Sequence, residues 1–152
     1  MLVKTLLEAK PPSLFTAKPT TPFDEAMELL IKNQIGCLPI VGDDGKLVGV
    51  VSDKDIFKKI HETKGDYHSL KLADVMTTEV VVGLPTDDLT YIAGLMDKNW
   101  IRHVPIVEGE RVIGVVSQRD VIKTQTESMH IENRYLNLYM EQMHRRDKSG
   151  DA

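Results

Sequence analysis

The sequence predicts an α/β (α+β) fold: two copies of one βαββα unit, packed sheet to sheet about a pseudo-two-fold axis, followed by a C-terminal helix. Three observations predict it. The stretch "GVVSDKD" (Gly49 to Asp55) returns as "GVVSQRD" (Gly114 to Asp120). Upstream, "PTTPFDEAMELLIKNQIGCLPIV" from Pro19 and "PTDDLTYIAGLMDKNWIRHVPIV" from Pro85 align without a gap at an offset of 66. The offset then falls to 65, because one residue is missing between two apolar runs, where a turn tolerates deletion.

The elements follow in order. "LVKTLL" near the N-terminus reads as a short lead-in helix, and "LKLADVM" reads as its counterpart before the second copy. The short apolar runs "SLFTA" and "EVVVG" are expected as first strands. Thr21-Pro22-x-Asp24 is a helix start, with a hydroxyl at the N-cap, proline at the first helical position and a carboxylate placed to reach back. Phe23, Ala26, Met27, Leu30 and Ile31 then share one helical face, and Leu89, Ile92, Ala93 and Met96 repeat that phase. "CLPIV" and "LVGVVS" around "GDDGK" form a hairpin, as do "HVPIV" and "VIGVVS" around "EGER". Residues 53–60 and 118–125 are the second helices.

These readings divide the chain into residues 1–12 (lead-in helix), 13–62 (first repeat), 63–77 (linker and short helix), 78–125 (second repeat) and 126–152 (C-terminal helix and frayed tail). In the last segment Met129, Ile131, Tyr135, Leu136, Leu138, Tyr139, Met140 and Met143 cover nearly half of a helix's circumference, wide for a single contact.

Composition narrows the function. A net charge of −4 over 152 residues argues against a dedicated nucleic-acid binder, which needs a strongly basic surface. One cysteine excludes an internal disulfide and a cysteine-based zinc site. No apolar run is long enough to span a bilayer and the N-terminus lacks a signal-peptide core, so a cytoplasmic protein with no membrane partner is expected. The five histidines show no metal-ligand spacing, and no Walker loop, dinucleotide glycine motif, zinc-protease helix or nucleophile elbow is present, so no enzyme is expected. Asp43-Asp44 and Asp87-Asp88 read as turn and helix-start residues.

The repeated motif admits two readings. Ser-x-x-Asp is a capping box, and that role alone satisfies both residues. In a duplicated unit, however, each copy sits at a strand end beside a cleft formed with the other copy, where an aspartate can accept the hydroxyls of a ribose and a helix N-terminus favours an anion.

With the paired "PIV" strands, the "GVVSDKD" and "GVVSQRD" segments and the strand-helix-strand-strand-helix order, residues 13–125 resemble a tandem pair of CBS domains, a Bateman module. The resemblance implies a non-catalytic regulatory module that binds an adenine nucleotide (AMP, ADP or ATP, or NAD or S-adenosylmethionine) as a regulatory ligand, requires no cofactor, forms a homodimer and signals to a regulated protein. The alternative is a dimerisation or protein-interaction module with vestigial pockets. By the resemblance, one site takes Val50, Ser52, Lys54 and Asp55 with Val80, Val81, Ile101, Arg102 and His103. Its mate takes Val115, Ser117, Arg119 and Asp120 with Leu14, Phe15, Ile35, Gly36 and Cys37. Aliphatic members are expected to hold the base and the aspartates the ribose. Arg102, with Lys54 nearby, is the expected phosphate donor, because guanidinium is a rigid two-pronged donor. His103 is read either as a sensor of phosphate charge or as a surface residue, and Cys37 as a small core or pocket residue.

Overall fold

The computed structural model describes residues 1–150. Residues Met1–Ser117 form one compact unit and those from Gln118 onward a second. In the first unit lie helix α1 (Val3–Ala9), helix α2 (Phe23–Asn33), strands β1 (Cys37–Val41) and β2 (Leu47–Ser52), helix α3 (Asp53–Thr63), a 3-10 turn (Leu72–Asp74), helix α4 (Leu89–Asn99) and strands β3 (His103–Glu108) and β4 (Arg111–Ser117). The second unit is one helix, α5 (Gln118–Ser149). The helix expected at 118–125 therefore continues without a break into the C-terminal segment. No helix among the described residues is long and apolar enough to cross a membrane.

Each repeat contributes an antiparallel hairpin with the same register fault. Ile40 pairs with Gly49 but Val41 with Leu47; Ile106 pairs with Gly114 but Val107 with Val112. The inward positions of both hairpins are fully buried: Leu38, Ile40 and Val51 in one, Val104, Ile106 and Val116 in the other. The hairpin tips meet. Leu47 N donates to the Glu110 carbonyl at 2.9 Å, Lys46 pairs with Glu110 at 2.7 Å, and Arg111 reaches the Asp44 carbonyl at 3.3 Å.

Two expectations need correction. The first strands survive only as single bridging residues, Ala17 on Ile40 and Gly83 on Ile106, both parallel. Ala17 N donates to the Pro39 carbonyl and Val41 N to the Ala17 carbonyl; Gly83 makes the same two bonds with Pro105 and Val107. The next donor of a parallel ladder would be Pro19 in one direction and Pro39 in the other, and Pro85 and Pro105 hold those places in the second repeat. Proline has no N–H, so each strand stops after one residue. The second correction concerns α2, which starts one residue later than read. Its N-cap is Pro22, without a side-chain cap. The Thr21 hydroxyl accepts from Lys18 N instead, and Phe23 N donates to the Leu70 carbonyl. In the second repeat Asp88 does cap α4, accepting from Thr90 N at 2.8 Å.

The lead-in segments are exchanged between repeats. Helix α1, at the start of the chain, is bound to the second repeat: Val3 N donates to the Asp87 carbonyl, Lys4 N to Pro85, and Leu89 N to the Met1 carbonyl. The segment preceding the second repeat is bound to the first: Leu72 N donates to Thr21, Ala73 N to Pro19, and Thr77 bridges Val50. The glycine of each "GVVS" marks the crossing. A Cβ on Gly49 would stand 2.8 Å from Met76 Sδ, and one on Gly114 would stand 2.8 Å from Leu7 Cδ2.

Glycine substitutions test this packing in both directions. A Cβ at Gly83 would lie 2.5 Å from Ile92 Cδ1 and 2.9 Å from Ile106 Cδ1, both on fully buried side chains. Gly83→Ala is expected to destabilise the fold by about 1–3 kcal/mol through overpacking. Gly94, inside α4, has open space around its Cβ position, so Gly94→Ala is expected to stabilise by about 0.5–1 kcal/mol. Denaturant melts read both signs.

Cys37 gives a pH test. It is buried opposite Ser52, and burial first, then the negative charges of Asp55 and Asp53, push its thiol up to about 12. The folded value stands above the unfolded one, so stability tied to the neutral thiol is complete below about pH 9 and is lost as pH rises toward about 12. Across that window the stability difference between the parent and Cys37→Ala is expected to move against the parent, as read by denaturant melts at each pH. A constant difference would contradict the burial account.

Candidate functional site

Matched helix ends deliver the site. Helix α2 closes on Gln34 and α4 on Trp100, both left-handed at φ 53° and 56°. Ile35 N then donates to the Leu30 carbonyl and Ile101 N to the Met96 carbonyl, which turns each chain into its strand. The residues placed at the strand entries are Gly36 and Cys37 in the first repeat, and Arg102 and His103 in the second.

Facing them, β2 ends at Ser52 and α3 begins. Asp55 Oδ2 accepts from Ser52 N at 2.9 Å and from the Ser52 hydroxyl at 3.1 Å, while Ser52 Oγ lies 3.3 Å from Asp55 N. The capping box read from the sequence is present. Both of the bonds that Asp55 accepts from Ser52 fall on Oδ2.

Two contacts join the repeats here. Arg102 Nη2 lies 3.1 Å from Asp53 Oδ1 and 3.4 Å from Oδ2, with both side chains at least half exposed. A Cβ added at Gly36 would stand 2.8 Å from His103 Cε1 and 3.3 Å from Asp53 Oδ2. Only glycine at 36 lets the imidazole approach this closely. The Gly36 carbonyl in turn accepts from Asp53 N at 2.9 Å, so the entry to β1 and the start of α3 are tied together.

The structure thus brings together Gly36, Cys37, Ser52, Asp53, Asp55, Arg102 and His103, drawing on both of the sets read from the sequence. Gly36 and Cys37, assigned to the second set, lie against members of the first. Val50 is half-buried and bridged by Thr77, just upstream of the half-buried Val80 and Val81. Lys54 is exposed. In the remaining set, the Val115 carbonyl accepts from the Lys10 ammonium at 3.1 Å, Phe15 packs on the core of the first repeat, and Leu14 is exposed. Ile35 is half-buried. Ser117 ends β4, and Arg119 and Asp120 lie in the first turn of α5, in the other unit.

Sequence reasoning missed Asp53 and Lys10. Asp53 stands inside "SDKD", where an acidic residue at a helix start reads as ordinary first-turn charge. Nothing in its neighbourhood points to a partner in the other repeat. Asp87 accepts from Leu84 N and Asp44 from Lys46 N, so those carboxylates shape turns, as read. Among the described residues no cluster of histidine, cysteine and acidic side chains has the arrangement of a metal site.

Comparison with known proteins agrees with this architecture. The CBS domain family model matches residues 9–62 and 72–127. A CBS domain pair of protein MJ0100, solved in complex with 5′-methylthioadenosine and S-adenosyl-L-methionine, is 33% identical, with a TM-score of 0.75, covering 84% of this chain and 98% of that one. CBSX2, solved in complex with AMP, is 26% identical, with a TM-score of 0.70, covering 84% of this chain and 98% of that one. The L-aspartate semialdehyde sulfurtransferase of Methanocaldococcus jannaschii is 36% identical over 121 residues, 79% of this chain but 22% of its own length. The chain spans about two fifths or less of the first curated relatives it matches. Two matched copies, their order and the shared fold lead to one conclusion: the chain belongs to the CBS domain family, as a tandem pair.

Proposed function

We propose that this pair is a non-catalytic regulatory module that binds an adenine-containing ligand in the cleft where Ser52–Asp55 of one repeat meets Arg102 and His103 of the other, and passes its occupancy to a partner. The observation that carries the reading is the cross-repeat contact of Arg102 with Asp53 beside Gly36, which supports a site shared by the two copies. Support comes also from the similar CBS pairs solved with AMP and with S-adenosyl-L-methionine. Asp55 receives the ribose through Oδ1, the apolar Val50, Val80, Val81 and Ile101 flank the base, and Arg102 and Lys54 face the phosphate end. Cys37 takes no chemical part, since a thiol pushed up to about 12 carries almost no thiolate near neutrality.

A second reading, an interaction module with vestigial pockets, draws on one observation: Asp53 already holds Arg102. Exposed ion pairs typically contribute only about 0–1 kcal/mol, so a phosphate group can displace that carboxylate. Asp53 then acts as a competitor that lowers the site's preference for anionic ligands.

Thermal shift with AMP, ATP, S-adenosylmethionine and adenosine separates the two readings. A ligand at a hundred times its dissociation constant adds about 2.7 kcal/mol to native stability. No shift with any of the four would support the vestigial reading. For a ligand that binds, Asp55→Ala is expected to weaken it by about tenfold or more, since hydrogen bonds to a charged group are worth roughly 1.5–3 kcal/mol. Unchanged affinity by calorimetry would restrict Asp55 to its capping role.

Asp53 and Arg102 are expected to act in opposite directions. Asp53→Asn frees the guanidinium and should tighten AMP or ATP relative to adenosine by up to about fivefold, the ratio that ~1 kcal/mol corresponds to. Arg102→Ala should weaken AMP and ATP and leave adenosine unchanged. Equal effects on all three ligands would assign the pair a packing role only.

A further inference from the structure

Every residue of α5 from Gln125 to Ser149 is exposed, including the large apolar ones. Met129, Leu136 and Met143 recur at every seventh position and fall on one line of the helix, with Tyr139 and Met140 on either side of it. Their exposures run from 44% to 63%, so this seam is left uncovered among the described residues. Apolar side chains repeating at seven residues are the pattern by which one helix packs along another.

Charge selects the occupant. Glu132 and Arg146 lie on the same flank of the seam, each seven residues from Tyr139. A two-fold axis crossing the helix at Tyr139 places Glu132 of each copy opposite Arg146 of the other, and brings Leu136 of each copy to within one residue of the level of Met143 of the other. Two copies side by side in the same direction would leave both charges without an opposite partner and bring the basic ends, Arg145, Arg146 and Lys148, next to their own images. Opposed helix dipoles favour the reversed orientation as well.

We infer that α5 pairs with α5 of a second copy of this chain as an antiparallel two-helix zipper, with its centre near Tyr139 and the Glu132–Arg146 pairs fixing direction. This contact uses none of the cleft residues Ser52, Asp53, Asp55, Arg102 and His103. Spin labels placed singly on the full chain, at Lys123→Cys or at Asn137→Cys in a Cys37→Ala background, read the geometry directly. The antiparallel pair places labels at 123 about 45 Å apart, roughly thirty residues at a rise of 1.5 Å, and labels at 137 within about 15 Å. Short distances at both sites would mean parallel pairing, and absence of coupling at both would mean no pairing; either result overturns the inference, as does any other combination. Glu132→Arg should abolish the 45 Å distance, and adding Arg146→Glu should restore it. Restoration fails if charge does not set the direction.

Discussion

Neither repeat can finish its own fold. A two-stranded hairpin is marginal in water, and in each repeat only a single bridging residue extends the hairpin's sheet. What completes each is a segment from elsewhere in the chain: α1 covers the second repeat, and the residues around Leu72 and Met76 cover the first. The exchange makes the two copies one folding unit, in line with the undivided compactness of Met1–Ser117. It also explains the glycines of the repeated motif. Gly49 and Gly114 sit where the exchanged segments cross β2 and β4, and a side chain at either would strike Met76 or Leu7.

The same constraint positions the candidate site. Because the copies must be held together, their strand entries come into register, and Gly36 of one receives His103 of the other. The charges that meet there are unlike those at the pseudo-equivalent positions: Arg102 corresponds to Gly36, and Asp53 to Gln118. Duplication supplied a symmetric frame, and substitution made its two halves chemically different. The ion pair of Asp53 with Arg102 is exposed and weak by nature, which under the proposed function lets it yield to a ligand.

Much of this was legible because duplication writes a pattern twice. Helix faces, hairpins, the residue lost in the second turn and the Ser52–Asp55 box all follow from local periodicity and turn chemistry. The failures are equally local in origin. "SLFTA" has strand composition, but its ladder needs donors at Pro19 and Pro39, a fact visible only once the partner strand is known. Thr21 looks like a cap, yet tertiary contact with Leu70 satisfies the helix start instead. The exchange of lead-in segments and the pairing of Asp53 with Arg102 join residues far apart in the chain, and no spacing rule connects them. The resemblance named candidate residues at the strand ends, whereas their grouping across both sets depends on how the strand entries meet.

The central claim is that one ligand is read by both repeats at once. An amide NMR titration of the intact chain with AMP, repeated with S-adenosylmethionine, tests it most directly. The account predicts that the amides of Gly36, of Ser52 to Asp55 and of Arg102 and His103 shift together, with a common dissociation constant. Shifts confined to one repeat, or two groups titrating at different concentrations, would contradict it.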